Sequence, residues 1–254
     1  MCPILFHLGP LAVSSYGVSL AIAFLLVIGL TARATARDLN GRVPMSPEDL
    51  ADWGTWVMGG GILGGRVLYV ALNWDAYAQA PFEIVALWHG GLIWYGGFLG
   101  GVLANLIYCR RRGYSALRAF DQVLPFAVLG HAIGRIGCFL NGCCAGVPTR
   151  AWWGVWLPNQ PEPLVPIQLF ESLGLVLLYV VLRRVQRSRQ LRRPGVVLGA
   201  YLIGYGLVRW LVEYGRANQP LLMSGLTLHQ LLSAIAMAVG LMLIVRAKPI
   251  SSRG

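Results

Sequence analysis

The sequence predicts an all-α polytopic integral membrane protein with seven transmembrane helices, its N-terminus outside and its C-terminus cytoplasmic. Composition is the first reason: of 254 residues, 56% are hydrophobic and only 12% charged, too much apolar surface for an ordinary soluble domain. Segmentation is the second, because seven apolar stretches come close to the roughly 20 residues that span a bilayer. The third is the placement of the 21 Lys and Arg, which alternate between loops.

The apolar stretches cover about 12–33, 50–72, 91–109, 119–141, 166–183, 195–215 and 224–246. The first lacks a basic leader and a small-residue cleavage site, so it is expected to be a retained span. Arg33, Arg37 and Arg42 follow it; Arg110, Arg111, Arg112 and Arg118 follow the third. Arg183, Arg184, Arg187, Arg189, Arg192 and Arg193 follow the fifth, and Arg246, Lys248 and Arg253 follow the seventh. The opposite loops carry only Arg150 and Arg216. Cytoplasmic loops are enriched in Lys and Arg, which fixes the expected orientation and explains the net charge of +11 without nucleic acid. With no long linker and no internal repeat, residues 1–254 are expected to form one integral domain.

Glycine clusters as GGGILGG in the second span and GGLIWYGGFLGG in the third. Small residues let helices approach closely in lipid, and glycine runs free backbone to line a cavity. Trp152, Trp153 and Trp156, in the outer loop 142–165, suit a membrane interface.

The remaining three arginines, Arg66, Arg135 and Arg209, fall inside spans, and intramembrane charge usually marks a working site. At about 1.5 Å per residue, Arg135 lies roughly 25 Å from the cytoplasmic end of the fourth span, in the outer half. Arg66 and Arg209 reach a similar depth. The inward-running spans begin with Tyr16, Tyr95, and the pair Gln168 and Glu171, so the unusual polar groups are expected to converge there. His131, Arg135 and Cys138 form one stripe, and Arg209, Glu213 and Arg216 another. Unpaired guanidinium groups facing an outer cavity would attract an anion, and the abundant anion there is a phospholipid headgroup, held through bidentate hydrogen bonds. His131 can be read as a base or as a packed histidine, while His89 and His229 are read as interfacial.

Five cysteines are an odd number and give no disulfide framework. Cys138, Cys143 and Cys144 sit near the expected outer face, where an oxidising compartment could pair two of them. Their C-x4-C-C spacing is not an ordinary zinc pattern, so no metal is expected. No Walker, Rossmann or zincin motif occurs, and no cofactor is expected.

The run GRIGCFLNGCCAG, Gly134 to Gly146, resembles the signature G-R-x-G-N-F-x-N-G-E-x-x-G of the prolipoprotein diacylglyceryl transferase family. Gly134, Arg135, Gly137, Phe139, Asn141, Gly142 and Gly146 match it. Further similarities follow in order: LGPLAVSSYG with Tyr16, GGR ending at Arg66, GGLIWYGG with Tyr95, PIQLFES with Gln168 and Glu171, and YGLVRWLVEYGR with Arg209 and Glu213. The resemblance covers nearly the whole chain. It implies a seven-span enzyme of the bacterial cytoplasmic membrane with its site toward the outer leaflet. Its substrates would be phosphatidylglycerol and the signal-peptide lipobox of prolipoproteins. The diacylglyceryl group would pass to the lipobox cysteine thiol, and glycerol 1-phosphate would leave. By the same resemblance Tyr95, Arg135, Arg209 and Glu213 are expected catalytic residues, with Glu213 orienting Arg209; His131, from its place on the Arg135 stripe, joins them as a candidate base. Tyr16, Arg66, Arg135, Asn141, Gly146, Gln168, Glu171 and Arg209 are expected to bind substrate. The chain departs from the family pattern at Tyr95, where a histidine is usual, and at Cys138 and Cys143, in place of asparagine and glutamate. A transferase-like protein that binds or moves anionic phospholipid without this reaction is the alternative reading.

Overall fold

A computed structural model describes residues 3–8, 11–37, 45–87, 90–157, 160–188, 193–217 and 225–247. Cys2, Arg42, His89, Arg189, Arg192, Lys248 and Arg253 lie outside the described residues. A short antiparallel hairpin, β1 (Ile4–Leu8) with β2 (Leu11–Ser14), precedes the helices α1 (Ser15–Ala36), α2 (Pro47–Leu72), α3 (Trp74–Gln79), α4 (Trp94–Arg112), α5 (Ala116–Leu140), α6 (Ile167–Arg187), α7 (Val196–Glu213) and α8 (Leu228–Arg246). Seven of the eight occupy the seven expected segments. The fold is therefore helical, and five of its described helices, α1, α2, α5, α7 and α8, are long and apolar enough to cross a membrane. By contrast α4 ends on three arginines, and α6 carries Glu171 and three arginines. The hairpin was not expected: the apolar stretch beginning near residue 12 starts as a strand and turns helical only at Ser15, where the Ser14 Oγ accepts from the Gly17 amide at 3.1 Å.

The chain forms two compact units, one of Met1–Thr31 with Phe120–Gly254 and the other of Ala32–Ala119. In the smaller unit α2 starts on a full N-terminal signal: Ser46 caps the Asp49 amide at 3.1 Å, Pro47 opens the helix, and Glu48 and Asp49 sit against its positive end. Tyr114, just beyond α4, donates to Asp49 Oδ2 at 2.6 Å, and that hydrogen bond pushes the phenol up to about 12. Deeper in, α2 and α4 meet through glycine. A Cβ at Gly64 would fall 2.4 Å from the Gly96 carbonyl oxygen, and one at Gly100 would fall 2.2 Å from that of Gly60. These pairs are spaced four residues apart on each helix, the small-xxx-small pattern that lets backbones touch. Trp53 adds a buried bond from Nε1 to Asn105 Oδ1 at 2.8 Å.

The larger unit is organised around α5. Pro125 lies inside this helix and has no N–H to give the carbonyl of Asp121. Gln186 of α6 supplies the donor instead, reaching the Asp121 and Gln122 carbonyls at 2.7 and 3.1 Å. The Asp121 carboxylate in turn caps α7, accepting from the Gly195 and Leu198 amides at 2.6 and 2.8 Å. Val128 and Ala132 of α5 pack with Leu175, Leu178 and Leu182 of α6 and Val197 of α7. A second close crossing joins α7 to α8, where Gly199 and Gly240 each face the other's carbonyl.

Because Gly100 has no room for a side chain, Gly100→Val is expected to lower stability by about 1–3 kcal/mol. Gly59, with open space around its Cβ position, should tolerate alanine with no loss. Thermal scans of both variants in detergent check this, and an unchanged Tm for Gly100→Val would contradict the close α2–α4 crossing.

Candidate functional site

Two buried carboxylates organise the polar residues of the larger unit. Glu171, wholly buried on the first turns of α6, places Oε1 2.9 Å from Arg135 Nη2 on α5. One residue along, Ser172 Oγ donates to the Ala132 carbonyl at 3.0 Å, which fixes α6 against α5 beside the ion pair. Glu213, at the end of α7, places Oε2 2.8 Å from Arg209 Nη2 one turn back. Its other oxygen accepts from Thr227 Oγ1 at 2.7 Å and lies 3.3 Å from His229 Nδ1. Thr227 is also the N-cap of α8, closing a reciprocal capping box with Gln230. The start of α8 is thus tied to the carboxylate that holds Arg209.

The ion pairs leave guanidinium donors over. Arg135 Nε, Arg209 Nη1 and Arg216 Nε are buried and have no hydrogen-bond acceptor among the described residues. Arg216 stands just past α7, and burial, followed by the charges of Arg209 and Arg135, lowers its guanidinium from the ordinary value. Three positive groups therefore lie within electrostatic reach of one another, with two carboxylates paired to them among the described residues.

The loop after α5 is laced into the same region. The Gly146 amide donates to the Val165 carbonyl at 2.9 Å, and the Val147 amide to that of Gly215 at 2.9 Å. A Cβ on Gly146 would lie 2.2 Å from the Gly215 carbonyl oxygen. Gly146 therefore allows two backbones to touch beside Arg216. Gln168, also buried, donates through Nε2 to the Cys143 carbonyl at 2.6 Å and holds the turn that follows Asn141. The Asn141 amide completes the end of α5, donating to the Gly137 carbonyl at 3.0 Å. Within that turn, hydrogen bonding from the Cys138 thiol, with the Arg135 and Arg216 charges nearby, holds the Cys144 thiol below the usual thiol range. Tyr16 is 40% exposed on the first turn of α1, with its ring edge in contact distance of the Gly137 position on α5.

Other expected residues are placed differently. Arg66 is buried in the smaller unit, and its guanidinium is taken up by main-chain carbonyls: Nε by Ile84, Nη1 by Gly90 and Gly91, Nη2 by Glu83 and Ala86. Gly90 and Gly91 adopt positive φ of 79° and 83°, a conformation glycine enters freely. Arg66 thus ties together the carbonyls of Glu83, Ile84, Ala86, Gly90 and Gly91, and its donors are taken up by them. Tyr95, in the same unit, is half exposed on the first turn of α4 with its ring edge-on to Trp94 at 5.4 Å. His131 packs against the Tyr205 ring, centroids 5.4 Å apart. His229, read from sequence as interfacial, instead faces Glu213. Its signal was available in hindsight: the Thr-x-x-Gln of a capping box places residue 229 in the first turn of α8.

A sequence profile of the prolipoprotein diacylglyceryl transferase family matches residues 3–246. A protein of Synechococcus elongatus named phosphatidylglycerol–prolipoprotein diacylglyceryl transferase is 38% identical over 253 residues, covering 94% of this chain and 85% of its own length. Proteins of the same name from Brucella canis and Brucella ovis are each 36% identical over 262 residues, covering 99% of this chain and 93% of their own. With the family profile matched along nearly its whole length and relatives at this identity, the chain belongs to the prolipoprotein diacylglyceryl transferase family.

Proposed function

We propose that this chain transfers the diacylglyceryl group of phosphatidylglycerol to the lipobox cysteine thiol of prolipoproteins, releasing glycerol 1-phosphate. All 254 residues act as one membrane transferase domain with seven spans, an outer N-terminus and a site open to the outer leaflet of the bacterial cytoplasmic membrane. The observation that carries the reading is the set of buried guanidinium donors on Arg135, Arg209 and Arg216 that no described acceptor satisfies. Buried polar groups are nearly always hydrogen-bonded, so these donors call for an anion. A phosphodiester between a diacylated glycerol and an unacylated headgroup glycerol is such an anion at membrane depth. The relatives' names supply the substrates.

In the proposed reaction the lipobox thiol loses its proton and its sulfur attacks the glycerol carbon of the diacylglyceryl group that carries the phosphate. The carbon–oxygen bond breaks, and the electron pair leaves on the phosphate of glycerol 1-phosphate. Arg135 and Arg209 hold that phosphate as charge builds on the departing oxygen, the form of stabilisation that contributes most in water-poor sites. Glu171 and Glu213 hold each guanidinium by one nitrogen and leave the others for phosphate. Tyr16, on the open end of α1, hydrogen-bonds lipid or peptide near the mouth, and Tyr95 occupies the family's histidine position on α4.

His229 is our choice for the base. Its Nδ1 lies 3.3 Å from a buried carboxylate oxygen; in the proposed reaction the Nδ1 proton turns to that oxygen and Nε2 accepts the thiol proton. Packing of His131 against Tyr205 favours a structural part for that histidine.

Arg135→Ala and Arg209→Ala are each expected to lower transfer from phosphatidylglycerol to a lipobox peptide by at least about 100-fold, the scale of losing an oxyanion donor. Lysine at either position should restore little, because it cannot reproduce the paired donors. Lipid retained by wild type without thioether product would favour the alternative reading of a lipid-binding paralogue. For His229→Gln, a fall in kcat of about 100-fold or more is expected, with loss of the ascending limb of the pH profile. A variant with a wild-type profile would return the base assignment to Tyr95 or His131.

A further inference from the structure

The end of α5 brings together three thiols that the transfer reaction does not use. Gly142 turns the chain with φ of 74°. Its amide donates to the Phe139 carbonyl at 3.1 Å, and the Cys143 amide donates to that of Cys138 at 3.1 Å. This pair of bonds defines a Schellman closure, in which the residue after the left-handed position folds back over the residue five before it. That contact is usually apolar; here both partners are cysteine. The third thiol arrives because Cys144 itself takes a positive φ of 62°, a region that non-glycine residues seldom enter. Two anchors hold the turn in place: Gln168 bonded to the Cys143 carbonyl, and Gly146 bonded to Val165.

The sulfurs of Cys138, Cys143 and Cys144 all lie within 4.8 Å of one another. Metal–sulfur bonds of about 2.3 Å place three sulfurs about 4 Å apart around a central ion, so small side-chain rotations close the triangle. The thiols grade outward, from buried Cys138 through half-buried Cys143 to exposed Cys144, which gives an ion a way in. A disulfide would use two sulfurs and strand the third, whereas a three-coordinate ion uses them all. Sulfur-only donor sets select soft cations. Arg135, one turn before Cys138, supplies positive charge next to a set of thiolates.

We propose that Cys138, Cys143 and Cys144 form a trithiolate site for a soft, thiophilic metal ion of the copper(I) class. Each thiol gives its proton to solvent as it ligates. The site lies one turn beyond Arg135 but depends only on the α5 turn, so it stands even if the proposed transfer does not.

The test is retention of copper(I) by the reduced full-length protein in detergent, against a chromogenic chelator. One equivalent should be held, with an ultraviolet thiolate-to-copper charge-transfer band and a fluorescence shift of the bound ion. Cys144→Ser, at the exposed position, should weaken retention at least ten-fold without changing Tm, and Cys138→Ser and Cys143→Ser should do the same. Cys109→Ser, in the other unit, should leave it unchanged. The proposal is overturned if wild type releases all its copper to the chelator, or if the three variants retain it as wild type does. Isolation without reductant as a disulfide between two of these cysteines, with no copper held after reduction, would overturn it equally.

Discussion

Burial of Glu171 and Glu213 against arginine is the constraint on which the larger unit depends. A guanidinium inside a membrane protein stays charged, and removing the partner of a buried ion pair costs about 3–5 kcal/mol. Each arginine therefore binds its helix to a carboxylate, and the carboxylate recruits the rest. Glu171 ties α6 to α5 at the level where Ser172 bonds to Ala132. Glu213 ties α7 to the cap of α8 through Thr227 and brings His229 alongside. The loop after α5 then closes over the same groups, and Gly146 lets it lie against the chain that carries Arg216.

Arg66 contrasts with the two arginines proposed to hold phosphate. Arg66 has every nitrogen directed at main-chain carbonyls; its charge is spread over a loop that it holds in shape. Arg135 and Arg209 have a carboxylate on one nitrogen and a buried donor without a described acceptor on another. Other polar groups that build the fold find partners in a similar way. Gln186 answers the carbonyl freed by Pro125, and Asp121 answers two amides at the start of α7. Residual hydrogen-bonding capacity is concentrated around the proposed phosphate site.

Much of this was legible before the structure. Apolar segmentation located the seven long helices among the described residues, and the glycine clusters marked α2 and α4 as able to approach a neighbour closely, because both signals depend on local periodicity and residue size. The i, i+4 spacing of Arg209 and Glu213 disclosed their pair. The partner of Arg135 was harder, since Glu171 lies 36 residues on and only tertiary packing selects it. The partners of Arg66 were hidden because the carbonyls that saturate it come from an irregular loop with no periodic signal. The partner of His229 was hidden because it lies on another helix. The three thiols were visible as letters, and Gly142 before Cys143 marked a helix end, yet their convergence needed two left-handed residues on either side of Cys143, the second of them, Cys144, not glycine.

Lipid retention tests the central claim most directly. Native mass spectrometry of delipidated protein, offered equal amounts of phosphatidylglycerol and uncharged diacylglycerol, reads whether the open guanidinium donors select a phosphate. Wild type should keep phosphatidylglycerol and shed diacylglycerol, and a folded Arg135→Ala, Arg209→Ala double variant should lose that preference. Equal retention of the two lipids by wild type, or an undiminished preference in the double variant, would contradict the account.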